Sequence, residues 1–245
     1  MLRAEGLHKS FGSLAVARHV DLAVERGARH ALIGPNGAGK TTLFNLLSGE
    51  LRPDAGRIVF GSRDITRDPA DARARAGIAR SFQRNSLFEE MSARDNLVCA
   101  ALLARGLGHV FWKDLRRFTE LYEKAEEIAS LVGLAESLDR PARSLAYGLQ
   151  RQLEVGLALA LDPVVLLLDE PTAGMSPEET AAMRVLLAGL PRELTLLVVE
   201  HDMDVVFGIA DRITVLDAGT VLFEGSPEEV RASPAVRARY LGKRQ

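Results

Sequence analysis

The 245-residue sequence has a single cysteine, Cys99. One thiol cannot close an internal disulfide and offers no cysteine cluster for a structural metal, which suits a reducing compartment. There is no excess of charge of either sign: 31 Lys and Arg stand against 33 Asp and Glu, for a net charge of −2. Without a broad basic face, nucleic acid and anionic lipid are not expected as electrostatic partners. Long apolar runs are also missing. The most apolar stretch, 153–168, is broken by Glu154, Asp162 and Pro163, well short of the ~20 apolar residues that cross a bilayer. Arg3, Glu5, His8 and Lys9 interrupt the start where a signal peptide would be apolar. The chain is expected in the cytoplasm, with any membrane contact made through a partner. Internal repeats and low-complexity tracts are absent as well.

What is present is 47% apolar residues, enough for one large α/β domain or two intimate subdomains. Strand-like runs at Leu14–Val24, Arg29–Ile33 and 57–60 alternate with turns at Gly12, Gly27 and 54–56. Over 115–132 the period changes. Leu115, Phe118, Leu121, Tyr122, Ala125, Ile128, Ala129 and Val132 recur at helical spacing, opposite Arg116, Glu120, Glu123, Lys124 and Glu127. Glu120 and Lys124 are spaced to pair along that helix. A second helix is expected over 94–103, and Trp112, in the glycine-rich stretch 105–114, is expected to anchor its connection by burial. The runs 164–168 and Thr195–Val199 are continuously apolar, as strands buried on both faces are, and they end in Asp169–Glu170 and Glu200–His201. Strands of an open α/β sheet build sites at such carboxyl ends. The tetrapeptide SPEE, at 176–179 and again at 226–229, is a capping box with proline at the first helical position.

Residues 34–41, GPNGAGKT, match G-x-x-x-x-G-K-[ST] between a strand-like and a helix-compatible run. Gly34, Gly37 and Gly39 let the backbone of Gly34, Pro35, Asn36, Gly37, Ala38 and Gly39 curl so that successive N–H groups point at phosphate oxygens. Lys40 puts a cation against the β- and γ-phosphates, the Thr41 hydroxyl suits Mg²⁺, and Thr42 is a further phosphate contact or a helix residue. Asp169 is expected in the magnesium shell. Glu170 is aimed past the metal as general base or water-positioning carboxylate, and His201 donates to the γ-phosphate. The Gln83 side-chain oxygen can hold a water of the metal shell.

One stretch, LAYGLQRQ at 145–152, reads at first as a plain helix entry. Taken in order with IGPNGAGKTT, Gln83, LLLDEP and EHD, it makes the chain resemble the ATPase subunit of an ABC transporter over essentially its whole length. The resemblance implies an α/β P-loop NTPase cassette: a mostly parallel core sheet, an antiparallel β subdomain and an inserted helical subdomain. It implies a nucleotide-binding core from 1–88 and 150–225, a helical subdomain over 89–149 and a C-terminal helical tail over 226–245. ATP would be held with Mg²⁺ between two ATPase subunits, its phosphates in one phosphate loop and capped by Ala146 and Gly148 of the other. There Ala146 stands where the family has serine and Leu149 where it has glutamine. Phe11 matches the aromatic that stacks on adenine, and Ser176 lies where the family has aspartate. ARSFQ, LFEEMSARDNL, VEHDMDVV and the tail are similar to branched-chain amino acid importers; lipopolysaccharide-export and urea-type ATPases resemble the chain too. The implied partners are a second ATPase subunit, permease subunits docking over 83–96 with Leu87, Phe88 and Met91, and indirectly a solute-binding protein. The implied place is the cytoplasmic face of the membrane. A nonhydrolytic ATP-binding regulator would suit the altered signature, but Glu170 and His201 argue for turnover.

Overall fold

A computed structural model describes residues 1–81, 87–106 and 118–241, with Tyr240 and Leu241 described by backbone only. Gln83 and Trp112 therefore lie outside the described residues. The chain begins with an antiparallel sheet in the order β2-β1-β4-β5, formed by β1 (Leu2–Phe11), β2 (Leu14–Val24), β4 (Ala55–Phe60) and β5 (Arg63–Asp64). The sequence pattern does not reveal β1, because its pairing with β2 shifts register between Ala4 and Leu7 and twice more before Ser10. Each shift interrupts the alternation by which a strand is read.

The second sheet runs β10-β9-β3-β8-β7-β6, from β3 (Arg29–Ile33), β6 (Ile78–Arg80), β7 (Val165–Asp169), β8 (Thr195–Val199), β9 (Arg212–Asp217) and β10 (Thr220–Gly225). All neighbours are parallel except β10, which closes one edge against β9 in the antiparallel sense. The unbroken apolar runs are explained by the two faces. Leu166, Leu168, Leu196 and Val198 join a core shared with the helices α3 (Ala93–Ala104), α4 (Thr119–Leu131), α5 (Tyr147–Leu159) and α6 (Pro177–Gly189). Val165, Leu167, Leu197 and Val199 join another with α1 (Lys40–Ser48) and the antiparallel sheet.

The short helices α2 (Ala70–Arg75) and α7 (Met203–Ile209) lie between these elements, and both SPEE boxes form, at the starts of α6 and of α8 (Pro227–Ala232). The expected Glu120–Lys124 pair does not. Lys124 reaches Asp162 at 2.9 Å instead, and Glu120 is taken by Arg105 at 2.8 Å. An exposed helical ion pair is worth a few tenths of a kcal/mol, about, so tertiary partners redirect it easily. Two fully buried arginines carry no signal in the sequence. The Arg73 guanidinium donates to Leu46 O and Leu47 O, and that of Arg29 to Leu187 O, satisfying carbonyls that end α1 and α6.

Candidate functional site

The parallel strands β3, β8, β7 and β6 are consecutive neighbours, so their carboxyl ends open on one edge of the sheet. That edge gathers the phosphate loop after β3, Glu200–His201 after β8, Asp169–Glu170 at the end of β7, and Arg80 at the end of β6. Segments far apart in sequence thus meet at one crevice, as the parallel α/β architecture requires.

The loop is shaped by what cannot be there. Gly39 caps α1 with φ 100°, and a Cβ added to it would lie 2.6 Å from the Val16 carbonyl oxygen. A Cβ at Gly34 would collide with Leu216 O. The Ala38 carbonyl accepts from Gly219 N–H at 3.0 Å, so the loop is clamped between the β1–β2 hairpin and the β9–β10 turn. Asn36, Gly37 and Thr41 remain exposed, and Pro35 and Thr42 half-buried. The buried Lys40 folds back over the loop, its Nζ donating to Gly34 O at 2.8 Å and Pro35 O at 3.1 Å. Burial pushes this ammonium below its ordinary range, while the Glu170 and Asp169 carboxylates push it back up.

Asp169 has a side chain only 2% exposed and receives Arg80 Nη2 at 2.9 Å. Burial raises its carboxyl above the ordinary range, against the pull of Arg80. Arg80 also donates to Asn45 Oδ1 at 2.6 Å and lies over the Phe44 ring, 5.2 Å from its centre, so α1 fixes the cation that fixes Asp169. Sequence reasoning missed this residue; an arginine closing a strand in ARSFQ was the available signal. The Thr41 hydroxyl and the Asp169 carboxylate are both oxygen donors, the type a hard divalent cation takes. Replacing Arg80 with Met is expected to lower ATP turnover about 10–100-fold and raise the Mg²⁺ needed for half-maximal rate, measured by phosphate release across a Mg²⁺ titration; an unchanged Mg²⁺ dependence would remove Arg80 from this role.

Glu170 sits at φ 49°, a left-handed conformation for a non-glycine residue. Its N–H donates to Val199 O at 2.8 Å, which sets it beside the end of β8. Glu200, also unassigned from sequence, is fully buried and accepts from Thr172 N–H at 3.0 Å, Thr172 Oγ1 at 2.6 Å and His201 N–H at 3.0 Å. It ties the loop after Glu170 to the backbone that carries His201, whose side chain is half exposed. A carboxylate and an imidazole are thereby set at one sheet edge with the phosphate loop, an arrangement able to orient and deprotonate water.

Phe11, at the tip of the β1–β2 hairpin, is 49% exposed with Lys9 Nζ 5.7 Å from its ring centre. A purely core role is excluded. Ala146 caps α5, which begins at Tyr147, with no side-chain bond. Leu149 packs partly against the core shared by the helices, which accounts for an apolar residue at that position. Gly148 is buried, and its N–H donates to Glu179 Oε1 at 2.8 Å, so in the single chain this donor, expected to be free for nucleotide, already has a partner. Ser176 caps α6.

Comparison with known proteins adds to this geometry. The ABC transporter family matches residues 17–173, and a branched-chain amino acid ATP-binding cassette transporter family matches 220–244. The chain is 40% identical to the high-affinity branched-chain amino acid transport ATP-binding protein LivG of Salmonella typhimurium, over 99% of this chain and 98% of that one. It is 39% identical to the lipopolysaccharide export system ATP-binding protein LptB of Acidithiobacillus ferridurans, over 99% and 97%. A crystal structure of the ADP conformation of an ATP-binding cassette of an ABC transporter superposes with a TM-score of 0.86 at 32% identity, covering 99% of both chains.

Proposed function

The chain belongs to the ABC transporter family as one of its ATPases, and from this premise we propose that it drives an importer of branched-chain amino acids. The observation that carries the cargo is the match of 220–244 to the branched-chain amino acid cassette family. In this reading the core comprises 1–88 and 150–225, the helical subdomain 89–149 and the tail 226–245. ATP stacks its adenine on Phe11 and lays its phosphates on the N–H groups of 34–42, with Lys40 against the outer phosphates. Mg²⁺ would be held by Thr41 and Asp169, with Gln83 on its water shell, and would supply charge neutralisation at the outer phosphates. Glu170 takes the proton of the attacking water, and His201 holds the γ-phosphate.

Closure needs a second ATPase subunit, itself or a related chain, whose α5 start at Ala146–Gly148 caps the phosphates. Burial of phosphate charge between the two holds them together, and its splitting releases them, so that permease subunits receive a closing and opening stroke. Among the described residues no helix is long and apolar enough to cross a membrane, in keeping with peripheral attachment at the cytoplasmic face through those permeases. Phe88 supports the docking surface: it is 59% exposed on a turn pinned by the buried Asn96, whose side chain accepts from Phe88 N–H at 2.9 Å. A solute-binding protein would deliver cargo without touching this chain.

The lipopolysaccharide-export reading stays as the alternative because LptB is nearly as similar. Isolating the intact membrane complex, reconstituting it in vesicles and measuring ATP-dependent uptake of radiolabelled leucine, isoleucine and valine separates the two. Uptake of at least one supports the importer. Absence of uptake, with ATP turnover stimulated by lipopolysaccharide, overturns it.

A further inference from the structure

Gly148 has no side chain because another residue fills the space. A Cβ added there would lie 2.7 Å from Glu179 Oε1 and 2.8 Å from its Cγ and Cδ. The Glu179 carboxylate accepts from Gly148 N–H at 2.8 Å through Oε1 and from Ser176 N–H at 2.9 Å through Oε2. One carboxylate therefore sits between the first turns of α5 and α6, where both helix dipoles favour an anion. Among the described residues no cation pairs with it, and its bonds are to backbone N–H groups alone. The α5 start is tied to the same segment a second time, by the Tyr147 hydroxyl donating to Ala173 O at 2.9 Å.

This inference rests on the two-subunit reading of the ATP site. We propose that Glu179 is a positioning residue that occupies, in the open chain, the backbone donor the other subunit's γ-phosphate needs, so that closure exchanges a carboxylate for a phosphate. One N–H makes one good linear bond. Two anions at the same helix start repel, so the incoming phosphate must displace Glu179 from Gly148 rather than join it. The exchange opposes closure and raises the ATP concentration at which two subunits associate. It leaves ATP binding to the phosphate loop of the single chain unaffected, because Glu179 acts only on the donor offered to the other subunit. The capping box gives the carboxylate a place to remain: it can keep Ser176 N–H while it releases Gly148.

The discriminating substitution is Glu179→Gln. The glutamine oxygen can still accept from Ser176 N–H, but its amide nitrogen is a donor and cannot accept from Gly148, and the charge is gone. Association is measured by sedimentation velocity at rising Mg-ATP, with Glu170→Gln in every chain to stop hydrolysis and with the second ATPase subunit present if the chain pairs with a related one. Glu179→Gln and Glu179→Ala are expected to associate at about 3–10-fold lower ATP than the parent, the worth of one freed hydrogen bond. Nucleotide affinity of the unassociated chain, read with a fluorescent ATP analogue, stays unchanged. Ser176→Ala, which weakens the cap but leaves Glu179 on Gly148, shifts the ATP requirement by less than about twofold. An unchanged or higher ATP requirement in both Glu179 variants overturns the inference while the parent still associates. If the parent never associates with ATP, the two-subunit reading fails and this inference falls with it.

Discussion

Exchanging Glu170 for Gln is expected to cut steady-state ATP turnover by at least about a hundredfold while nucleotide affinity stays within about twofold. The glutamine preserves the length and shape of the side chain, so binding at the phosphate loop is untouched, but it cannot accept the proton of the attacking water. The backbone there is held in an unusual conformation. A non-glycine residue at φ 49° stores on the order of 1–3 kcal/mol of strain. The strain is tolerated because the Glu170 N–H is bound to Val199 O and the following loop is clamped by Glu200 through Thr172. The neighbouring Asp169 is paired with Arg80, so its carboxylate is already engaged and is not a ready substitute base. Phosphate release under saturating ATP, alongside equilibrium binding, checks this; turnover within about threefold of the parent would assign the base elsewhere.

The second large effect belongs to Lys40. Replacing it with Met is expected to weaken ATP binding about 100-fold, the scale of a lost charge-assisted bond in a partly desolvated site, with no loss of thermal stability. The two effects separate because burial already disfavours the ammonium. Met keeps the apolar stem packed in the loop and removes a charge whose desolvation the fold otherwise opposes. Against this gain stand the two carbonyls, Gly34 O and Pro35 O, that Lys40 now serves, and at the loop edge water can take over. Calorimetric titration with ATP and a thermal melt decide the matter: a melting temperature lowered by many degrees together with retained affinity would make Lys40 a structural clamp.

How much of this could be read from the letters follows from the range over which each signal acts. The phosphate loop, the two SPEE caps and the acids closing buried strands are local patterns: both caps form at helix starts, and the loop and the acids meet at one sheet edge. The strand β1 was hidden by its register shifts, and the Glu120–Lys124 pair by long-range partners that outcompete a weak local one. What no local pattern carries is contact across the fold. Arg80 meets Asp169 across 89 residues, Glu200 meets Thr172 across 28, and Gly148 meets Glu179 across 31. Each depends on strand order and on which helix start lies beside which loop. Periodicity says nothing of either. Buried arginines that end helices, such as Arg73, look in sequence like surface charges for the same reason.

Sedimentation velocity of the Glu170→Gln protein, with the second ATPase subunit supplied where the chain pairs with a related one, tests most directly whether two chains together grip ATP. Mg-ATP is predicted to convert single chains into a two-subunit species carrying two nucleotides, and a bulky substitution such as Gly148→Trp to abolish that species while each phosphate loop still binds ATP. Saturation with ATP without any change in mass would contradict the account.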